Sequence, residues 1–409
     1  MKNLQLVITL LLVALFSASC TNSSNEVSHW RGPNGDGEYP DKGLLKEWPE
    51  SGPAVVWKYE QLGKGYSSPA FTNSGFFITG TTDSIGSIFS FDLDGNLKWK
   101  KAYGKEWLVN FPGSRTTPTI VGDHGYLMSC VGVLYCFNTE NGDHIWSIDL
   151  FEKYGARQIN FGITEILRVD GDKIYCTPGG EEHNVLALNR FTGDLIWSSK
   201  GVGARNAYCP ITIFMHGGVK YLATVTELNV MALKAENGEL AWSFPTKNKA
   251  GIHGNSPIYR DGMLFISNGW ENGSFMLKIA EDGQSVEKLW GNELMDLENG
   301  DAILIGDNLY GSNWEHKGLS CVDWNTGEEK FTTKEFVSGN ISYADGLFYW
   351  FGINGKVGLV KATDTAFEVL SSFQLEGRKS RDHSAHTVIH DKKLYVRYDS
   401  TLWAFDIAK

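Results

Sequence analysis

Cysteine is scarce in this chain and badly placed for chemistry. The 409 residues hold six cysteines, with no adjacent pair, no C-x-x-C spacing and no C-x-x-C-H segment. That excludes a thiolate zinc site and covalent haem. Cys130, Cys136, Cys176, Cys209 and Cys321 are odd in number and scattered. They read as small buried apolar residues, with a disulfide left open should the compartment be oxidising. Positive charge is in deficit: 37 Lys and Arg against 48 Asp and Glu give −11, which argues against a nucleic-acid partner. Helical periodicity is missing throughout. The Gly201-Val202-Gly203 segment leads into no helix, so a dinucleotide site is excluded. Beyond Phe16, no apolar run is long enough to span a bilayer.

What is present begins at the N-terminus. Lys2 precedes an apolar run from Leu4 to Phe16, followed by Ser17-Ala18-Ser19-Cys20. One basic residue, about a dozen apolar ones and small residues before a cysteine read as an export signal. The segment resembles the bacterial lipoprotein cleavage box, which implies residues 1–19 as a signal peptide and Cys20 as a lipid-bearing mature N-terminus. Residues 20–53 then form a tether and a leader. The expected location is the bacterial cell envelope, as an outer-membrane lipoprotein touching the membrane through its anchor alone.

Glycine is abundant at 46, aromatic residues make up 13%, and together they suggest many short strands with frequent turns. A repeat organises them. An apolar strand, a turn rich in Asn, Asp and Gly, and a strand bearing an aromatic recur as IFSFDLDGNLKW, LYCFNTENGDHIW, VLALNRFTGDLIW and VMALKAENGELAW, ending at Trp99, Trp146, Trp197 and Trp242. Weaker copies end at Trp290, Phe331 and Leu370. Two further strands precede each copy, joined by hairpin turns. Four antiparallel strands every 39–51 residues describe a β-propeller blade. The chain ends on strands that lack an outer partner, and PAVVWKYEQ near the start, with Trp57, is an outer strand lacking inner ones. Pairing them removes two open edges and gives an all-β, eight-bladed propeller over 54–409, or seven blades if a weak copy is miscounted.

The repeat unit resembles the pyrroloquinoline-quinone (PQQ) repeat of quinoprotein-like propellers. Trp30-Arg31-Gly32-Pro33-Asn34-Gly35-Asp36-Gly37 is similar to the WRGPxxDG opening of bacterial lipoproteins in that superfamily. The resemblance implies a fold shared by quinoprotein dehydrogenases and an outer-membrane barrel-assembly scaffold. The leader is expected to pack on a blade face, with Trp30 as anchor.

Strand order places inter-blade links and the loops between second and third strands on one rim, the top. Short turns share the bottom, and His124, His144, His216 and His390 are read as solvated residues of those turns. The top rim gathers Arg115, Arg157, Arg205 and Arg381 with His316, Trp107, Trp270 and Trp314 as candidate ligand-binding residues. Tyr208, His253, His383 and His386 are the candidate proton-transfer groups. Guanidinium forks suit carboxylate or sulfate, indole faces suit sugar rings, and Tyr and His move protons. The expectation is an uncertain enzyme, a monomeric carbon–oxygen lyase or dehydratase performing β-elimination on an anionic, uronate-bearing oligosaccharide such as ulvan. By analogy of fold, several polysaccharide lyases are propellers. No cofactor or metal is required by that chemistry.

Two rivals stand beside it. A non-enzymatic scaffold similar to the barrel-assembly lipoprotein fits the fold and the anchor. A PQQ-dependent sugar or alcohol dehydrogenase would need a quinone and Ca2+, with Glu271, Glu315, Asn255 and Asp301 as oxygen ligands on composition alone. The adjacent Cys pair usual in such enzymes is missing.

Overall fold

The residue that closes each repeat, aromatic in all but the copy ending at Leu370, lies on the outermost strand of a four-stranded antiparallel sheet, and eight such sheets form the propeller. The computed structural model describes residues 27–409 apart from 29, 299, 301, 315–317, 364 and 377–384. Blades 1 to 7 occupy 70–105, 119–149, 168–199, 212–245, 258–292, 303–333 and 339–374. Blade 8 is composite: Val388–His390, Lys393–Tyr398 and Thr401–Asp406 pair in order, and Val55–Tyr59 adds antiparallel to Thr401–Asp406 as the outer strand. The N-terminal strand therefore closes the ring, as expected. Among the described residues the one helix is Leu150–Tyr154, capped by the Asp149 side chain and by Gly155 at φ 61°.

The repeated glycine and tryptophan answer one another between blades. A Cβ on Gly95, Gly142, Gly193, Gly238 or Gly327 would fall 2.4–3.0 Å from the indole of Trp57, Trp99, Trp146, Trp197 or Trp290, each on the preceding blade. The same glycines adopt φ of 73–84°, so both backbone and packing demand the missing side chain. The Gly95–Trp57 pair carries this lock across the seam between blades 1 and 8. The five cysteines are free and buried.

The leader departs from expectation. It does not lie on a blade face; it crosses the central channel. Val27–Ser28 pairs with Ile120 and Val121 on the innermost strand of blade 2. Glu38–Tyr39 pairs in parallel with Tyr343 and Ala344 on the innermost strand of blade 7. Between them Arg31, 3% exposed, donates to the Ala302 carbonyl (3.1 Å) ahead of blade 6. Gly35, at φ 72°, sits where a Cβ would be 2.8 Å from Arg168 Nη1 of blade 3. The Tyr39 hydroxyl donates to the Thr387 carbonyl beside blade 8. The glycines that the leader motif fixes are thus the ones that let a chain fit between converging strands. The channel is divided: Trp30 faces a cavity of about 300 Å³ above, while Gly32 and Pro33 line another of about 510 Å³ below.

Candidate ligand-binding funnel

The upper cavity lies where the inter-blade links dip toward the axis. Every blade contributes a residue at or just before its innermost strand: Tyr66, Arg115, Glu165, Tyr208, Gly254, Glu298, Asn340 and His386. Phe111, Phe161, Trp270 and Trp314 complete the wall and Trp30 the floor. Phe111 and Phe161 lie 5.7 Å apart, Phe161 and Tyr208 6.4 Å, and Trp30 meets His386 edge-on at 4.7 Å. An aromatic cavity with few polar groups is the ordinary form of a small-molecule site.

Two buried carboxylates organise the polar side. Asp296, wholly buried, accepts the N–H groups of Glu271 and Gly273 (both 3.0 Å), and its carbonyl accepts Trp314 N–H (3.2 Å). It thereby fixes the loop that presents Trp270 at φ 55° and sets Trp314 beside it. Glu165, 1% exposed, accepts Thr177 N–H on Oε2 (2.8 Å), while Oε1 has no partner. Burial pushes its pKa up to about 8, so the group is predominantly an uncharged acid at neutral pH. Thr177 links Glu165 to Tyr208: Asn206 donates to the Thr177 carbonyl (2.7 Å) and accepts Tyr208 N–H (2.6 Å). Tyr208 holds φ 71°, and its hydroxyl accepts Phe161 N–H (2.9 Å). Burial lifts the Tyr208 phenol to about 12, which makes it a poor proton acceptor at neutral pH.

Of the sequence candidates, Arg115, Tyr208, Trp270, Trp314 and His386 come together here. The others do not. Arg157 donates to the Gly179 and Gly203 carbonyls (2.7 and 2.6 Å), and Arg205 pairs with Glu227 at 2.7 Å. Trp107 donates to Asn110. His253 is buried with its neighbours Ile252 and Gly254 in the wall, and burial lowers its pKa to about 4. Arg115 reaches the cavity, yet its guanidinium donates to the carbonyls of Phe161, Asn110 and Phe111 and lies over the Tyr66 ring. The Arg-rich rim is largely a set of loop ties. Cys20, Asp301, Glu315, His316, Arg381 and His383 lie outside the described residues. Of the bottom-turn histidines, His144 is exposed, His216 is tied to Tyr259 and the Ala280 carbonyl, and His390 stacks on Phe71.

Sequence reasoning missed Glu165, Glu298, Tyr66, Phe111, Phe161, Asn340 and the floor residue Trp30. The one readable signal was Glu165 itself, an acid inside the apolar run Ile163 to Leu167 just ahead of an inner strand.

The residues also bear on a quinone cofactor. PQQ is a planar tricarboxylate, and the funnel meets it with Arg115 engaged on three carbonyls and a buried Glu165 oxygen without a partner. Glu271 pairs with Lys249, and the Asn255 amide donates to the Leu297 carbonyl. Among the described residues no cluster of three His, Cys, Asp or Glu is arranged to hold a metal ion. This donor set does not fit an anionic quinone.

Residues 84–333 match the family model described as outer membrane protein assembly factor BamB. A curated relative, the outer membrane protein assembly factor BamB of Kangiella koreensis, is 24% identical over 141 residues, which are 33% of this chain and 32% of that protein. The aligned stretch thus spans about a third of the relative's length. The crystal structure of BamB from Moraxella catarrhalis superposes with a TM-score of 0.60 at 12% identity, covering 86% of this chain and 97% of that one. Quinohemoprotein alcohol dehydrogenase from Comamonas testosteroni gives 0.64 at 12%, covering 95% and 82%. At these identities the solved neighbours speak for the fold.

Proposed function

From the premise that this chain belongs to the family described as outer membrane protein assembly factor BamB, we propose that it is a scaffold of the cell envelope that docks a partner of outer-membrane protein assembly on its top rim. The observation that carries this reading beyond family membership is an apolar lip at the funnel mouth. In the link between blades 1 and 2, Leu108 is 46% exposed, Val109 80% and Phe111 47%. Three neighbouring apolar side chains turned to water are a surface awaiting a partner. The occupant that suits them is an apolar segment of an envelope protein.

β-Elimination has less support. It requires neutralisation of the uronate carboxylate, and the described rim guanidiniums serve protein acceptors. It also requires a base, and Tyr208 is held as a phenol. Dehydrogenation meets the misfit of the quinone described above.

The test is affinity capture from detergent-solubilised envelope, comparing the wild type with Leu108→Asp/Val109→Asp. The scaffold reading expects recovery of assembly-machinery components and at least about a tenfold loss in the variant. The fold should be unchanged because both side chains are exposed. Failure to recover such components, or equal recovery by both proteins, overturns it.

A further inference from the structure

The upper funnel has a chemistry that rim docking does not use. Its floor and one wall are indoles, from Trp30, Trp270 and Trp314. Its lining holds two carboxyl groups, Glu165 and Glu298, 1% and 5% exposed. The other titratable or charged groups facing it are Tyr66, Arg115, Tyr208 and His386. Arg115 is drawn to the wall by the Asn110, Phe111 and Phe161 carbonyls. Glu165 Oε1 is enclosed and lacks a partner. Enclosure holds this carboxyl neutral with one oxygen unmatched, at a cost in free energy, and a cation beside it would let it ionise. Aromatic faces attract cations and gain most when the site is shielded from water.

We propose that the funnel is a binding site for a small organic cation, an alkyl or quaternary ammonium, with Glu165 as counter-ion and the indoles of Trp30, Trp270 and Trp314 as the faces it packs against. Arg115, the guanidinium among the lining residues, is spent on protein carbonyls, and an anion would oppose the ionisation of Glu165, which reverses the preference expected from counting the rim arginines. The aromatic lining favours an organic cation over a metal ion, and its compact volume of about 300 Å³ limits the size. Binding has a proton balance. The Glu165 carboxyl releases its proton to solvent as the ammonium takes its place, so binding tightens as pH rises.

Choline is the probe, and 3,3-dimethylbutan-1-ol, which has the same shape without the charge, is its control. With a carboxyl titrating at about 8, calorimetry is expected to show choline affinity rising about tenfold from pH 7 to pH 9. The neutral analogue should bind at least about tenfold more weakly. Calorimetry at pH 7 in buffers of different ionisation enthalpy should report close to one proton released per choline bound. Glu165→Gln should remove the proton release and the pH dependence. Trp270→Ala keeps the test decisive if that variant misfolds, because it should weaken binding while leaving the proton release intact. No choline binding, equal binding of the neutral analogue, or proton-free binding each overturns the proposal. None of these outcomes bears on Val109, so the scaffold reading is tested separately.

Discussion

Arg397→Met is expected to lower the unfolding free energy by about 3 kcal/mol or more, a loss out of proportion to a change so nearly conserving in volume. Arg397 is 1% exposed on the second strand of blade 8. Its guanidinium donates across the seam to the carbonyls of Ser67, Thr79 and Gly63 (3.3, 2.7 and 3.2 Å) and to Ser67 Oγ (2.8 Å), and back to the Asp399 carbonyl (3.2 Å). Burial pulls its pKa down to about 10, which still leaves it charged at neutral pH. It therefore stitches blade 8 to blade 1 where the chain's two ends meet. Methionine fills the space and removes every guanidinium donor from those buried carbonyls, leaving Thr79 with only the Ser67 hydroxyl among the side-chain donors. Arg397→Lys should rescue little, because one ammonium cannot reproduce a planar fork. Urea unfolding measures the loss; a shift below about 1 kcal/mol would mean that water replaces the guanidinium.

The second large effect depends on pH. An ordinary glutamate titrates near 4.5, and Glu165 in the fold near 8. Between those values the folded state keeps a proton that the unfolded chain has released. Its contribution is therefore fully present below about pH 4.5 and is lost as pH rises toward 8, at about 1.4 kcal/mol per unit. Glu165→Gln retains an acceptor for Thr177 N–H and removes the titration. The variant should match the wild type near pH 4.5 and be the more stable by several kcal/mol at pH 8.5. His253, neutral in the fold with a pKa near 4, acts in the opposite sense between about pH 4 and 6.5, but it is common to both proteins and cancels in the comparison. Parallel stability profiles would show that Glu165 is ionised in the fold.

The blades were legible because their cause is local. A glycine turn and an aromatic four residues later recur where one blade's turn sits against the preceding blade's indole, as with Gly193 and Trp146. Blade 7 shows the rule by departing from it: the preceding outer strand carries Phe331, which meets Phe367 edge-on at 4.9 Å, and the blade 7 turn beginning at Thr363 has no glycine. The composite blade 8 followed from the same logic, since an unpaired outer strand and an unpaired inner set need one another.

The site was less legible. Trp30 and His386 meet across more than 350 residues of chain, and nothing in a leader motif says that it will cross the channel. The arginines misled for a related reason. Sequence counts guanidiniums but does not show the carbonyls of Gly179, Gly203 and Phe111 that hold them. Acidic residues told less than they contained, because a lone Glu165 among isoleucines looks like an exposed interruption until the links converge around it.

The scaffold reading places the working surface on the top rim, and site-specific photo-crosslinking in the intact envelope tests it most directly. A photoreactive residue at Val109 is compared with one at Asn141, which is exposed in a bottom turn. The prediction is a crosslink to an outer-membrane assembly component from position 109 and none from 141. Crosslinks of equal strength from both rims, or no assembly component captured from position 109, would contradict it.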